Sequence, residues 1–518
     1  MSRPPSPKEA DPDLASRMAY EAGAVGRRMA RDAMRGLYHS ERNVRLALDL
    51  CTGCGACMAW CPTYTSTGDP LNSPIGRISM ARSLLRGSAS EDEAYRYAWL
   101  CLTCGACSAA CPFGLDVPSV SRALRAALLE SWRAPSYVSS RVLEQLETSR
   151  GRGIDGEFLR ALLHGVALEV EAEKGLRINP KVDERADVLL VVPSDDLVSN
   201  IDTLKGYLSV LHELGVDFSL SSRAVAENYG LFLHPSIMRK LADGVLAAAE
   251  ALGAKTIVIG ECGNAWRVAA GYLSARLRGS GIEVRHIFHF TADALRSGEL
   301  ELNPDANGQL VYEYQDPCQY SRGGGLLREP REILRWAVRR YVEPSLGGRR
   351  TICCGAGGGN LAPELLPLTT DYSEMWYGMA LSDGADVVVR PCAICKSHMS
   401  RVVQALNSRH GRSISVSGLM ELVYRALVPR RGKGRSTRGV DGKEERHRPW
   451  QTSKAWRVGA SRASAAARRP LGRPRACWHG RTNPEASCPG QERLGALVGE
   501  VMPKSRLQRA RPYRLRPP

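Results

Sequence analysis

The chain has 518 residues, 43% hydrophobic and 6% aromatic, which is enough for about three globular domains. No apolar run approaches the roughly 18 residues that cross a bilayer, and the first residues lack the apolar core of a secretory signal. Sixteen cysteines, most of them in tight groups, favour metal ligation in a reducing compartment over disulfides. We therefore expect a cytoplasmic protein that binds metal through thiolates.

The net charge of +17 would by itself suggest a nucleic-acid partner, but it resides entirely in the C-terminal segment. Residues 430–518 hold 23 Lys and Arg against 6 Asp and Glu, so residues 1–429 are neutral overall. The segment has no aromatic interleaving and no nucleic-acid-binding motif, and we expect no nucleic-acid partner. Its Arg, Ala, Gly and Pro bias predicts a basic disordered tail over residues 429–518, or an out-of-frame translation.

Helical periodicity dominates the start of the chain. Apolar residues recur at helical spacing over residues 14–48, which predicts a helical N-terminal segment, residues 1–48. Another helical stretch is expected at Ile75–Leu85, and a helical linker over residues 126–185.

Two copies of the run C-x2-C-x2-C-x3-C-P lie between these helical regions, in a predicted ferredoxin-like domain, residues 49–125. This spacing is typical of two [4Fe–4S] cubanes, in which the fourth Cys of each run ligates the other cube. The alternatives, a zinc site or a disulfide framework, do not account for eight thiols in this order. The expected ligand sets are Cys51, Cys54, Cys57 and Cys111 for one cube, and Cys101, Cys104, Cys107 and Cys61 for the other.

From Ala186 short β-branched runs alternate with helix-length segments, which indicates an α/β fold with a largely parallel sheet. The same order recurs over residues 309–428 and predicts two duplicated modules, residues 186–300 and 301–428. Ligands are expected at their strand tips. Strands are predicted in ADVLLVV, VDFSL, KTIVIG, IEVRHIF, QLVYEYQDPC, RTICCGAGGG and DVVVRPCAICKSHM, and a helix in REPREILRWAVRRYV.

Five further cysteines lie at the predicted strand tips of the second module. They are Cys318, Cys353, Cys354, Cys392 and Cys395. A vicinal pair before a Gly-rich turn suits a large cluster with bridging thiolates better than the alternative, a compact zinc site. No Lys-Ser/Thr follows the glycines, so we interpret them as clearance for a cluster and not for phosphate.

Together with the cubane pair, this layout resembles the CCG-domain iron–sulfur proteins of the heterodisulfide reductase D type, over residues ~40–425. The resemblance implies that the five cysteines hold a catalytic noncubane [4Fe–4S] cluster that reduces a heterodisulfide or trisulfide. The phrases VPSDD, GLFLHP and GECGNAWRVA are more similar to the Dsr K subunit of the sulfite-reduction-associated membrane complex. That family is thought to act on the trisulfide of the small sulfur carrier protein DsrC.

The same resemblance implies partners and a setting. It implies an integral membrane, cytochrome b-like subunit that oxidises quinol and attaches this chain to the membrane. It also implies a role in sulfur metabolism and anaerobic respiration.

The first module departs from the family pattern, since Ser194 stands near its first Cys slot and only Cys262 remains. One noncubane cluster is therefore expected. Cys262 itself is an extra ligand, a thiol at the substrate face, or a small buried hydrophobe. One rival function, an electron-transfer subunit of a glycolate, lactate or glycerol-3-phosphate dehydrogenase, is disfavoured by the lost cysteines. A second, a redox-sensing nucleic-acid-binding protein, is disfavoured by the neutral body.

Several polar residues next to the cysteines have two interpretations each. His398 is either a proton donor near the cluster or a helix-surface histidine. Lys396 and Arg322 either offset thiolate charge or are solvated. Glu261 and Asp316 either handle protons or cap helices.

Overall fold

The computed structural model describes residues 12–21 and 29–430 of the chain. Its N-terminal part is helical, and the cysteine runs lie in the loops between short helices, except that Cys107 lies within the helix Ala106–Ala110. Capping follows the sequence: the Ser73 hydroxyl accepts from the Gly76 N–H at the start of the helix Pro74–Arg86, and Gly87 ends that helix with a positive φ. The helices are α1 (Pro12–Glu21), α2 (Ala30–Ser40), α3 (Arg42–Leu50), α4 (Pro62–Thr67), α5 (Pro74–Arg86), α6 (Glu91–Ala98), α7 (Ala106–Ala110), α8 (Val117–Glu130), α9 (Ser136–Thr148) and α10 (Gly156–Lys174).

A five-stranded parallel sheet follows, with strand order β1-β3-β2-β4-β5. Its central strand β2 is buried along its whole length, as expected for a parallel sheet covered by helices on both faces. The strands are β1 (Lys181–Val182), β2 (Val188–Val191), β3 (Phe218–Leu220), β4 (Thr256–Ile259) and β5 (Glu283–His286). The associated helices are α11 (Ser194–Val198), α12 (Ile201–Glu213), α13 (Pro235–Leu252), α14 (Gly263–Val268), α15 (Ser274–Arg276) and α16 (Ile287–Ser297).

A four-stranded parallel sheet completes the described fold, with strand order β7-β6-β8-β9. Leaving β1 aside, the first sheet repeats this order as β3-β2-β4-β5. The predicted α/β architecture with duplicated modules is thereby confirmed. The strands are β6 (Val311–Tyr314), β7 (Arg340–Val342), β8 (Val387–Val389) and β9 (Ser415–Ser417), and the helices are α17 (Glu329–Ala337), α18 (Leu366–Ser382), α19 (Ala393–His410) and α20 (Leu419–Ala426).

One strand lies elsewhere than predicted. Residues 351–354, expected to be a strand, form no ladder, and β7 lies upstream of them within the predicted helix REPREILRWAVRRYV. That helix ends at Ala337, and the aromatic and β-branched residues Tyr341 and Val342 then pair with β6. The short strands β1 and β9 were also not predicted from the sequence, because two or three residues carry too little periodicity.

The two sheets are joined through α12 and α20, which pack closely where Gly206 faces the backbone of Met420. Within the described ranges, no helix is both long and apolar enough to span a membrane. The predicted disordered or out-of-frame tail lies outside the described residues, apart from its first two positions. The domain boundaries stay predictions.

Candidate cluster-binding site

The five cysteines of the second module lie at the carboxyl ends of its strands, where open α/β sheets bind ligands. Cys318 begins the helical turn after β6, and the vicinal pair lies in the loop between β7 and α18. Cys392 is the N-cap residue of α19, and Cys395 lies in the first turn of that helix. All five side chains are buried, none more than 6% exposed.

Contacts link the five thiols into a row, in which Cys395 precedes Cys392. Cys318 and Cys354 both contact Cys353, Cys354 contacts Cys395, and Cys395 contacts Cys392. The contacts with Cys353 and Cys395 hold the pKa of the Cys354 thiol well below its ordinary value. Hydrogen bonding with Cys395 also lowers the pKa of Cys392, whereas neighbouring thiols and burial raise the pKa values of Cys353 and Cys395. A row of five buried, interacting thiols fits a multi-iron cluster. Within the described residues, no group of three or more His, Cys, Asp or Glu side chains has the geometry of a single-ion site.

A buried arginine supplies positive charge to this row. Arg390 is fully buried, and its charge acts on Cys395, Cys354, Cys353 and Cys318. Its guanidinium donates to the backbone carbonyl oxygens of Ile352 and Asp316. A cation held this way offsets thiolate charge that burial would otherwise disfavour.

One of the two predicted cubane ligand sets lines a single small cavity. The buried quartet, which we name for its buried members Cys61 and Cys104, also contains the partly exposed Cys101 and Cys107. Cys61 comes from the first run and the other three from the second, the crosswise combination that the spacing predicts. The buried Arg77 lies beside it, with Nη1 3.9 Å from the Cys61 sulfur, and donates to the Thr63 hydroxyl and the Asn72 carbonyl oxygen.

The other predicted set lies nearer to the surface. Cys54 is exposed, Cys51 and Cys57 are partly exposed, and both Cys51 and Cys54 act electrostatically on Cys57. Cys111, the predicted fourth member, is partly exposed at the end of α7. Its assignment to this set stays a prediction.

The buried quartet directly adjoins the five-cysteine row, because the thiol of Cys104 contacts that of Cys353. This contact and burial raise the pKa of Cys104 well above its ordinary value. The Gly-rich loop makes the approach possible. A Cβ on Gly357 would lie 2.2 Å from the Leu102 carbonyl oxygen, and one on Gly358 2.4 Å from that of Cys101. These glycines therefore clear the backbone of the ferredoxin-like domain, whereas the sequence had suggested clearance for a cluster.

The structure decides between the two interpretations of His398 and Arg322. His398 is only 1% exposed, so the helix-surface interpretation is wrong; its Nε2 lies 3.0 Å from the Ser373 hydroxyl, which is 2.8 Å from the Cys354 carbonyl oxygen. Burial lowers the pKa of His398. Arg322 is not simply solvated, since Nη1 donates to the Cys104 carbonyl oxygen at 2.8 Å and Nε to that of Arg349 at 3.0 Å.

Lys396, Glu261 and Asp316 form buried ion pairs. Lys396 pairs with Glu261 at 3.1 Å, so it neither faces solvent nor is free to offset the thiolates. Glu261 also accepts from the Met420 N–H in the first turn of α20, which fits the capping interpretation. Asp316 pairs with Arg331 at 2.7 Å and accepts from the Gly348 N–H.

The first module presents a reduced version of the same strand tips. Cys262 is the N-cap residue of α14, as Cys392 is of α19, and Ser194 follows β2 as Cys318 follows β6. Cys262 is fully buried and its sulfur lies 2.6 Å from Asn264 Oδ1. The next N–H, that of Gly263, donates to the Cys392 sulfur at 3.4 Å. The first module, which we call the remnant module because it keeps one cysteine, thus forms one wall of the five-cysteine site.

Sequence reasoning missed the buried arginines Arg77, Arg125 and Arg390. The position of Arg390 two residues before Cys392 was the one local signal. Arg77 and Arg125 lie on helices far from any motif, and nothing in the sequence shows that they point inward.

Comparison with known proteins defines the class. Residues 47–115 match the family described as 4Fe-4S dicluster domain, and residues 312–400 match the cysteine-rich domain family CCG. The chain is therefore an iron–sulfur protein that combines a dicluster domain with a CCG domain.

Relatives that align along most of the chain make the identification more specific. An iron–sulfur subunit of an Hdr-like menaquinol oxidoreductase from Archaeoglobus fulgidus is 28% identical over 464 residues, which cover 77% of this chain and 82% of the relative. The D subunit of the dihydromethanophenazine:CoB–CoM heterodisulfide reductase from Methanosarcina barkeri is 26% identical over 398 residues, 74% of this chain and 94% of the relative. Both relatives are subunits of heterodisulfide reductase-like oxidoreductases, and the prediction of such an enzyme is confirmed. The closer likeness to Dsr K stays a prediction.

Proposed function

We propose that the chain is the catalytic iron–sulfur subunit of a membrane-attached complex that reduces a sulfur–sulfur bond in a heterodisulfide or a trisulfide. The observation that supports this most is the contact between Cys104 and Cys353. It joins the predicted cubane ligands to the predicted catalytic row without intervening protein. When bound, the two cubanes would supply one-electron carriers, and the noncubane cluster a centre that accepts a thiolate as the S–S bond breaks.

The exposure of the cysteines indicates the direction of electron transfer through the chain. The predicted set with the exposed Cys54 is the side that a redox partner can approach, and the buried quartet follows it. Arg77 and Arg390 stabilise thiolate charge at the two buried positions. Electrons would therefore enter at the exposed end and be used at the buried end.

The names of the relatives support the donor and the substrate class. Two Archaeoglobus relatives are named for menaquinol oxidation, and the Methanosarcina relatives for heterodisulfide reduction. We propose a quinol-oxidising, cytochrome b-like integral membrane protein as electron donor, and a DsrC-like sulfur carrier or a small disulfide as substrate. Attachment to the membrane would then depend on that donor.

Metal analysis and spectroscopy test the cluster assignment. The anaerobically purified chain should contain about twelve iron atoms, from three four-iron clusters. A paramagnetic signal should appear when a thiol product or trisulfide peptide is added. Cys354→Ser should remove about four irons and that signal while the cubane signals stay, and the matched control Cys262→Ser tests the remnant cysteine. About eight irons in the wild type, with no substrate-induced signal, would contradict the proposal.

Membrane fractionation tests the partner. The chain should sediment with membranes when it is co-expressed with the quinol-oxidising protein, and stay in the supernatant without it. Binding of residues 1–429 to protein-free liposomes would show that the surface of the chain itself attaches to lipid, against the proposal.

A further inference from the structure

We propose that Arg125 is a positioning residue that fixes the buried quartet against the Gly-rich loop, residues 352–359. The inference rests on the proposed function, because it assigns Arg125 the task of keeping the relay thiols and the catalytic thiols together.

The guanidinium of Arg125 uses every N–H donor it has. The side chain projects from α8, is fully buried, and lies 4.9 Å from the centroid of the Trp99 ring. A guanidinium has five N–H donors in a fixed planar fork. Each finds a backbone carbonyl oxygen: Nε that of Ala98 at 2.9 Å, Nη1 those of Phe232 at 3.1 Å and Gly358 at 2.8 Å, and Nη2 those of Trp99 at 3.1 Å and Cys101 at 2.6 Å.

These five carbonyl groups come from three parts of the chain. Residues 98–101 lead into the buried quartet, Phe232 belongs to the first α/β module, and Gly358 lies in the loop after the vicinal cysteines. The Arg125 side chain therefore links the backbone of Cys101, a member of the buried quartet, to the backbone of the Gly-rich loop. The thiol contact between Cys104 and Cys353 lies at this same junction.

No other residue type can replace this arrangement. Lysine has three donors on a flexible stem and would leave at least two of the five buried carbonyl groups without a partner. An unpaired buried carbonyl group is unfavourable, so the loop would move to find other partners or water. The close contacts of Gly357 and Gly358 with the Leu102 and Cys101 carbonyl groups would then open.

The test uses the full chain with anaerobically assembled clusters and compares Arg125→Lys with Arg82→Lys. Arg82 is the matched control, because it also donates to backbone carbonyl groups beside a cysteine run, those of Leu48 and Cys51, but does not touch the Gly-rich loop. Three quantities are measured: amide hydrogen exchange, the magnetic coupling between reduced centres, and the rate of electron transfer from pre-reduced cubanes to the substrate-binding centre.

In Arg125→Lys, residues 98–104 and 352–361 should lose exchange protection together, and the magnetic coupling should weaken. The transfer rate should fall severalfold, because electron tunnelling weakens with each added ångström between the centres. Arg82→Lys should change neither segment. Wild-type protection and coupling in Arg125→Lys would overturn the inference.

A second variant tests the inference if Arg125→Lys loses iron. Gly358→Ala keeps the guanidinium, but its Cβ would lie 2.4 Å from the Cys101 carbonyl oxygen and 3.0 Å from Arg125 Nη2, at a φ of +71°. It should reproduce the same paired loss of protection. Gly384→Ala, at a φ of +72° with open space around the Cβ, should not. Unchanged protection in Gly358→Ala would also overturn the inference.

Failure of the proposed function would look different. A wild-type chain without a substrate-induced signal would remove the catalytic assignment. The exchange data would still decide whether Arg125 holds the two loops together.

Discussion

Lys396 of the second module donates to Asp196 of the first across 2.8 Å, and both side chains are buried. Lys396 directly follows Cys395, and its ammonium group also contacts the Thr203 hydroxyl at 2.9 Å. The remnant module is therefore bound to the catalytic module by charge at the site itself. The pairing raises the pKa of Lys396, despite burial that by itself lowers it.

Removing this ammonium group should destabilise the protein strongly. Lys396→Met leaves Asp196 and Glu261 as unpaired buried carboxylates, and the free energy of unfolding should fall by about 3 kcal/mol, measured by urea denaturation. Lys255→Met is the control, because that lysine pairs with Asp187 at the surface and its loss should change the value by less than about 1 kcal/mol. Equal effects of the two substitutions would contradict the importance of the buried pair.

The charge of Arg390 should set the potential of the catalytic centre. Arg390→Met removes the cation nearest to the vicinal pair, so the oxidised, less negative state gains and the reduction potential should fall by at least about 60 mV, a tenfold change for one electron. Redox titration followed by EPR measures this. The cubane potentials should stay within error, and so should all potentials in Arg340→Met, which changes an exposed arginine on β7 that donates to Gln309. A uniform shift of every centre would argue for a general structural effect.

Two glycine-to-alanine substitutions should have opposite effects on the stability of the folded protein. In Gly206→Ala the new methyl group would lie 2.2 Å from the Met420 carbonyl oxygen, so α12 and α20 must separate and stability should fall by about 2 kcal/mol. In Gly165→Ala, on α10, nothing lies within 4 Å, and the better helix propensity should raise stability by about 0.5–1 kcal/mol. Thermal unfolding of both variants provides the comparison. A stabilised Gly206→Ala variant would mean that the two helices are not in close contact.

Glu227 should contribute a pH dependence to stability. Burial raises its pKa to about 7 from an ordinary 4.5, and the Ser194 N–H and hydroxyl donate to it. The folded state thus holds a proton that the unfolded chain releases, so this contribution is full below pH 4.5 and is lost as the pH rises through about 7. Glu227→Gln should flatten the dependence of the unfolding free energy on pH across that window. The exposed Glu283→Gln should leave the slope as in the wild type; an unchanged slope in Glu227→Gln would contradict the prediction.

Much of the architecture follows from local patterns. The apolar runs ADVLLVV and KTIVIG are predicted as strands and form β2 and β4, within two residues at each end. A strand was wrongly predicted at residues 351–354, because Ile and two cysteines are residue types that favour strands. The segment is instead a loop, held by Arg390 and by contacts with the ferredoxin-like domain. Such contacts join distant parts of the chain and leave no periodic trace.

At the candidate site the sequence likewise predicts the cysteine ligands but not the contacts that surround them. Cysteine spacing indicates ligand sets because short loops bring the thiols of one run together whatever surrounds them. The burial of His398 depends on how α18 and α19 pack, and the five carbonyl contacts of Arg125 depend on how three folded parts meet. A helix-surface histidine and a buried one have the same sequence neighbours, so only the packed structure separates them.

The repeated strand order has a consequence for how such a protein can evolve. In both modules the sulfur positions lie on loops beyond the strands, and the core consists of residues such as Leu189 and Val388 that take no part in ligation. A duplicated module can therefore lose its thiols by mutation without losing its fold. Ser194 and Cys262 occupy in the first module the places that Cys318 and Cys392 occupy in the second, so a module of this fold can keep its strands without the full set of thiols and still enclose a neighbouring site.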